Sequence, residues 1–177
     1  MHKLLKASVA IATILILAAC GESTKTVQSK DGLFEIIISE QYQDVMDKRD
    51  AAVAVRLESA PAENITLLQA KEGDITNDLL YAVTIEIPED VQVTLPDFEK
   101  MMYEQMNQIK EIVDFKVKSI EGSNTELLYT AQTNVSESPY YEFCRVSVEN
   151  QITTICIGTR QDPKGAEKAI ESIHFLK

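Results

Sequence analysis

Two β-rich runs, Tyr141–Val148 (YEFCRVSV) and Ile152–Gly158 (ITTICIG), flank the polar triplet Glu149-Asn150-Gln151. So tight a return between strand-like runs reads as an antiparallel hairpin. Loop length then fixes which side chains face each other. A three-residue loop sets Cys144 opposite Cys156, since both lie equally far from Asn150. A two-residue Glu149-Asn150 turn shifts the register by one and sends the thiols to opposite faces. The first arrangement brings the two cysteines together as a bridge closing a short loop, whose role is to lock the hairpin. The second leaves two buried, small apolar residues. Redox chemistry is not expected, because no C-x-x-C pattern is present.

Outward from the hairpin, the strand period continues towards the N-terminus. Thr125–Thr133 (TELLYTAQT) and Phe115–Ile120 (FKVKSI) are joined by the turn Glu121-Gly122-Ser123-Asn124. Towards the C-terminus, Asp162-Pro163 is a helix start, with Asp as N-cap and Pro in the first turn. Ala166, Ala169, Ile170, Ile173 and Leu176 form the apolar face of that closing helix.

Earlier in the chain, Thr94 caps a longer amphipathic helix with Pro96 and Asp97 in its first turn. Phe98, Met102, Met106, Ile109 and Val113 share one face, which predicts four to five turns packed on a sheet. Before it, Leu33–Ile38, Ala51–Ser59, Ile65–Ala70 and Leu79–Ile87 read as strands. In the last of these Tyr81, Val83, Ile85 and Ile87 share a side. Gln41–Asp50 reads as a loop plugged by Tyr42, Val45 and Met46, and Lys71-Glu72-Gly73-Asp74 as a turn. Strands, long helix, antiparallel strands and final helix make an α+β fold, a mostly antiparallel sheet carrying two helices.

The start of the chain has a different character. His2, Lys3 and Lys6 precede an uncharged run, Ala7–Ala19, that ends in small residues. That is the order of a secretory signal, and the run falls short of the roughly 20 apolar residues a spanning helix needs. Leu17-Ala18-Ala19-Cys20 matches the bacterial lipobox, in which the cysteine becomes the lipidated first residue. Residues 1–19 are thus expected to be a signal peptide. Residues 20–31 (CGESTKTVQSKD) are expected to be a lipidated cysteine with a flexible tether, and 32–177 a single α+β domain. Gly21, rather than Asp, follows Cys20, which points to the outer membrane of the envelope before the inner.

The element order, the opening Asp31-Gly32-Leu33-Phe34-Glu35-Ile36, the Leu95-Pro96-Asp97-Phe98 helix start and the Asn150-Gln151 hairpin with Thr153-Thr154-Ile155 resemble the DcrB-type bacterial lipoproteins. That resemblance implies a PsbP-like α/β/α sandwich over residues 31–177. The wider fold consists mostly of accessory binding proteins, and the resemblance carries no site residues to this chain.

Composition narrows function further. The chain has 17 Lys and Arg against 28 Asp and Glu, a net charge of −11. An acidic surface disfavours nucleic acid and adhesion to anionic lipid, so no nucleic-acid partner is expected and membrane attachment falls to the lipid. Only two histidines occur, His2 in the leader and His174 in the closing helix. With no G-x-S-x-G, G-x-G-x-x-G or P-loop, neither an enzyme nor a cofactor or metal is expected.

The residues singled out for partner or ligand contact are Met101, Met102 and Met106 on the long helix, because methionine surfaces adapt to several partners. Tyr140 and Tyr141 join them as aromatic anchors near the hairpin. The sequence thus leads to a non-enzymatic accessory or adaptor lipoprotein of the periplasm with an envelope protein as partner. The alternative is a small-ligand or lipid-binding module with its pocket between the long helix and the sheet.

Overall fold

The computed structural model describes residues 23–46, 64–70, 78–88, 90–134, 138–149 and 151–176. Cys20, the leader at 1–19, the expected strand at 51–59, the turn at 71–74 and Asn150 lie outside them.

The frame is a seven-stranded antiparallel sheet in the order β3-β4-β5-β9-β8-β7-β6. Its strands are β3 (Tyr42–Asp44), β4 (Ile65–Ala70), β5 (Leu79–Glu86), β6 (Ile112–Ser119), β7 (Glu126–Thr133), β8 (Tyr140–Ser147) and β9 (Gln151–Thr159). Helix α1 (Leu95–Met106) packs on one face and helix α2 (Pro163–Glu171) on the other. A second sheet of β1 (Thr24–Gln28), β2 (Phe34–Ser39) and β10 (His174–Phe175) lies on the α2 side, where Phe34, Ile36 and Ile38 join the core. The molecule is an α/β/α sandwich of the α+β class.

The hairpin has the three-residue register. Cys144 faces Cys156, and the two form a disulfide with Cα atoms 4.1 Å apart. That separation is close to the narrow pairs of an antiparallel ladder, where facing side chains come nearest.

Several expectations are corrected. Within the stretch expected as a tether, residues 24–28 form a strand that pairs with β2 along its whole length, from Thr24 opposite Ser39 to Gln28 opposite Glu35. The strand is polar because it lies at the edge of the small sheet and needs few apolar side chains to stay paired. Its return is fixed by side chains. The Ser29 hydroxyl accepts the N–H of Leu33 and of Phe34, at 2.9 and 3.1 Å, and donates to Asp31 at 2.6 Å. Gly32 has φ +74° in the turn, a conformation that favours glycine.

Helix α1 stops at Met106, shorter than its apolar spacing predicts. Tight bonds from Gln108 N–H to Gln105 C=O and from Ile109 N–H to Met106 C=O close it, at 3.1 Å each. Val113 lies at an irregularity in β6 and is 54% exposed, and Ile109 is 39% exposed. Ile109 sits in the turn after α1, where its carbonyl takes the Ile112 N–H at 3.2 Å, and Val113 is skipped between the paired Ile112 and Asp114. On β5, Leu80 and Ala82 are buried as well as Leu79 and Val83, while Ile85 is 52% exposed. A central strand covered on both faces loses the one-sided pattern. Residues 42–44, expected as loop, are an edge strand against β4. His174 is exposed and lies in β10, since α2 ends at Glu171.

Candidate functional site

The residues expected to make contacts are not brought together. Phe98, Met102 and Met106 sink into a core with Leu127, Tyr129, Cys144, Val146 and Cys156. Met102 and Met106 therefore cannot serve as an adaptable surface, and the space described beside the end of α1 is a shallow pocket of about 200 Å³. Met101 stays 40% exposed. It belongs with Tyr103, Ile109 and Val113 to the exposed apolar side chains around the end of α1 and the start of β6.

Tyr140 and Tyr141 are neighbours in a strand and so point to opposite faces. The Tyr140 ring covers Gly158, where a Cβ would come within 1.7 Å of the hydroxyl oxygen, and the Arg160 guanidinium lies 5.6 Å from its centroid. Burial, with added repulsion from Glu142, pushes the Tyr140 phenol well above its ordinary value despite Arg160. Tyr141 stacks with Phe143 at 6.4 Å against the other core. Both tyrosines serve packing.

The cysteines lie 3.4 Å (Cys156 Sγ to the Tyr129 hydroxyl) and 3.6 Å (Cys144 Sγ to a Glu142 carboxylate oxygen) from polar neighbours. Glu142, Cys144 and Cys156 are close enough to suggest a metal site. The bridge consumes both thiols, so the group lacks the ligands such a site needs.

What the sequence did not reveal is a cleft of about 560 Å³ on the opposite face, between β2, the end of β9 and α2. Ile38, Ile157 and Ala166 are buried walls, while Ile37 and Ala169 stand nearer the mouth. Thr24, Ser39, Gln41 and Tyr42 form the rim towards β1, and Lys168 lies on the helix side. A volume of this size falls in the range of small-ligand sites. The one hint in the sequence was alanine at 166 and 169, where a packing helix usually carries longer side chains.

Several polar groups of the cleft are hydrogen-bonded within the fold. The Thr159 hydroxyl donates to the Asp78 carboxylate and accepts the N–H of Gln161 and of Asp162, each at 3.1 Å. Asp78 adopts φ 50° and its carbonyl takes the Ala70 N–H at 3.1 Å. Asp162 caps α2 through the Gly165 N–H at 2.9 Å, and a Cβ on Gly165 would strike that carboxylate. Ser172 joins helix to sheet, accepting the Ile37 N–H at 3.0 Å and donating to Ala169 C=O at 2.6 Å. Lys25 holds the rim through the carbonyls of Tyr42 and Glu40. Further along, Asp44 is tied to Lys30 at 3.0 Å and sits below its ordinary value: burial raises it, but the Met46 N–H and Lys30 outweigh burial.

Among the described residues, no buried side-chain nitrogen or oxygen lacks a hydrogen-bond partner. Deeper along the same face, Asp31 accepts from Thr84 at 2.9 Å, and Thr84 meets Thr153 at 3.3 Å, seating the β1–β2 hairpin on the large sheet. The cleft presents carbon walls and a polar rim, which suits an apolar guest with a polar end.

The sequence matches no protein-family model and no curated protein. In structure, the chain is similar to the Ran-binding protein Mog1p of Saccharomyces cerevisiae, with a TM-score of 0.53 over 87% of this chain and 96% of that one, at 8% identity. At that identity the similarity concerns the fold, an α/β sandwich built on an antiparallel sheet.

Proposed function

We propose that the protein is a lipid-anchored accessory subunit of the bacterial envelope, a DcrB-type lipoprotein with a PsbP-like domain that binds and does not catalyse. The reading is carried by the spacing between Cys20 and the fold. Ser23 already accepts the Glu40 N–H at 2.8 Å, and β1 begins at Thr24. Four residues span at most about 14 Å, so a lipid on Cys20 would hold the domain against the bilayer surface. Two or three acyl chains suffice for lasting attachment.

An anchored domain of this kind acts through what it presents. The exposed side chains Tyr103, Ile109 and Val113, which line one pocket, together with the exposed Met101 offer apolar surface to an envelope protein. Placement at the outer membrane, on the periplasmic side, follows from Gly21 after the cysteine. In-cell crosslinking of the full-length protein, followed by mass spectrometry, is the test. A recurrent partner linked near Tyr103 or Val113, and lost on Cys20→Ala, is expected. Crosslinks no richer than background would sink the adaptor reading.

A second reading, a module for a small apolar ligand, is favoured by the cleft beside α2. Its site would then be on the face away from the long helix.

A further inference from the structure

We propose that the cleft between β2 and α2 holds one acyl chain of the lipid carried by Cys20. The inference rests on the lipidation reading and goes beyond it by assigning that lipid a place on the protein.

Three observations meet here. The first is chemical. Ile37, Ile38, Ile157, Ala166 and Ala169 line the cleft, and the Thr159, Asp78, Asp162 and Ser172 side chains beside them are already hydrogen-bonded within the fold, with Lys168 on the helix side. Such a surface gains from burying methylene groups and offers little to a highly polar guest.

The second is position. Thr24, the first residue of β1, is itself part of the cleft rim. A lipid on Cys20 therefore starts within about 14 Å of the mouth by chain length. An acyl chain can enter without unpairing β1.

The third is the exposure of Ile37, 48% open to solvent beside the mouth. An apolar side chain there extends the carbon surface outwards beside the mouth. The remaining acyl chains stay in the bilayer and keep the protein attached. The seated chain would fix the orientation of the domain, with the cleft turned to the membrane and the end of α1 free for a partner.

The experiment uses the full-length chain produced in a two-membrane bacterium fed a diazirine-bearing palmitate. After irradiation, the purified protein is digested and its crosslinks are mapped. Crosslinks from the lipid on Cys20 to peptides containing Ile37 and Ala169 are expected. They should fall at least tenfold in Ala169→Trp, which fills the cleft, and in Ile37→Asp, which makes its mouth polar. Circular dichroism checks that each variant folds, and the half-exposed Ile37 supplies the deciding variant if Ala169→Trp unfolds. If Cys20 is acylated but crosslinks only to phospholipid, or if both variants crosslink like the parent, the proposal is overturned and lipidation stands. If Cys20 carries no lipid, the anchoring reading and the proposal fall together.

Discussion

On one face of the seven-stranded sheet, α1 drives Phe98, Met102 and Met106 against Tyr129, Val146 and the Cys144–Cys156 bridge. On the other, α2 reaches the core through Ala166 and Ile170, and a cleft remains between it and β2. Both helices begin alike, with a capping side chain and a proline in the first turn. The difference lies in side-chain reach. Long, flexible methionines fill whatever space the sheet leaves, whereas alanine methyls cannot. Capping therefore tells where a helix starts, and the size of its inward residues tells whether the layer beneath is closed.

The contrast can be broken most directly in the closed layer. Met106→Ala should cost about 3 kcal/mol of unfolding free energy, since a 3% exposed side chain leaves a cavity the surroundings cannot fill. Urea denaturation measures it, and a loss under about 1 kcal/mol would mean that this face is as loosely packed as the other. Replacing both cysteines by alanine should cost about 2–3 kcal/mol, from freeing a loop with a sequence separation of 12 in the unfolded chain. The same experiment with dithiothreitol should lower the parent towards the double variant and leave the variant unmoved.

The open face depends more on polar links. Arg145 holds Glu126 at 2.6 Å, donates to Ile173 C=O at 2.6 Å and lies 5.6 Å from the centre of the Phe175 ring. Arg145→Met should cost roughly 2 kcal/mol, because Glu126 is left partly buried without its cation. Hydrogen exchange should report the loss at β10 before it reaches α1.

Tyr140 gives a pH signature. Its phenol is raised above the ordinary 10.0 by burial, so its contribution to stability is fully present below pH 10 and is lost as pH rises beyond it. In Tyr140→Phe the alkaline fall in stability should be shallower. Smallest of all, Ala169→Leu at the cleft should change stability by less than about 0.5 kcal/mol, where the same added bulk beside Met106 would strain a filled core. A large loss there would show that the cleft closes in solution.

Much of the architecture could be read from local pattern. Thr94 and Asp162 mark their helices, residues 65–70 form the expected strand, and the hairpin adopts the register that joins the cysteines. The errors have a common origin. Residues 24–28 look like a tether because an edge strand can be polar, and Ile109 and Val113 look helical because apolar spacing continues past the true end of α1. In both places backbone hydrogen bonds decide the outcome, those to β2 for the first and those of the turn after Met106 together with the β6–β7 ladder for the second. The site was less legible than the fold. A cleft is made by residues from 24–42, Ala70, Asp78 and residues from 157–172 meeting in space, and no motif spans that separation.

By itself the sequence determined the α+β class, the helix starts, the hairpin that carries the two cysteines and the absence of any recognisable catalytic motif, because each depends on neighbours along the chain. Only the tertiary structure decided that the methionines are core, that Tyr140 and Tyr141 part to opposite faces, and that the open space lies beside α2. Those are questions of volume between layers, and volume is set by which surfaces meet.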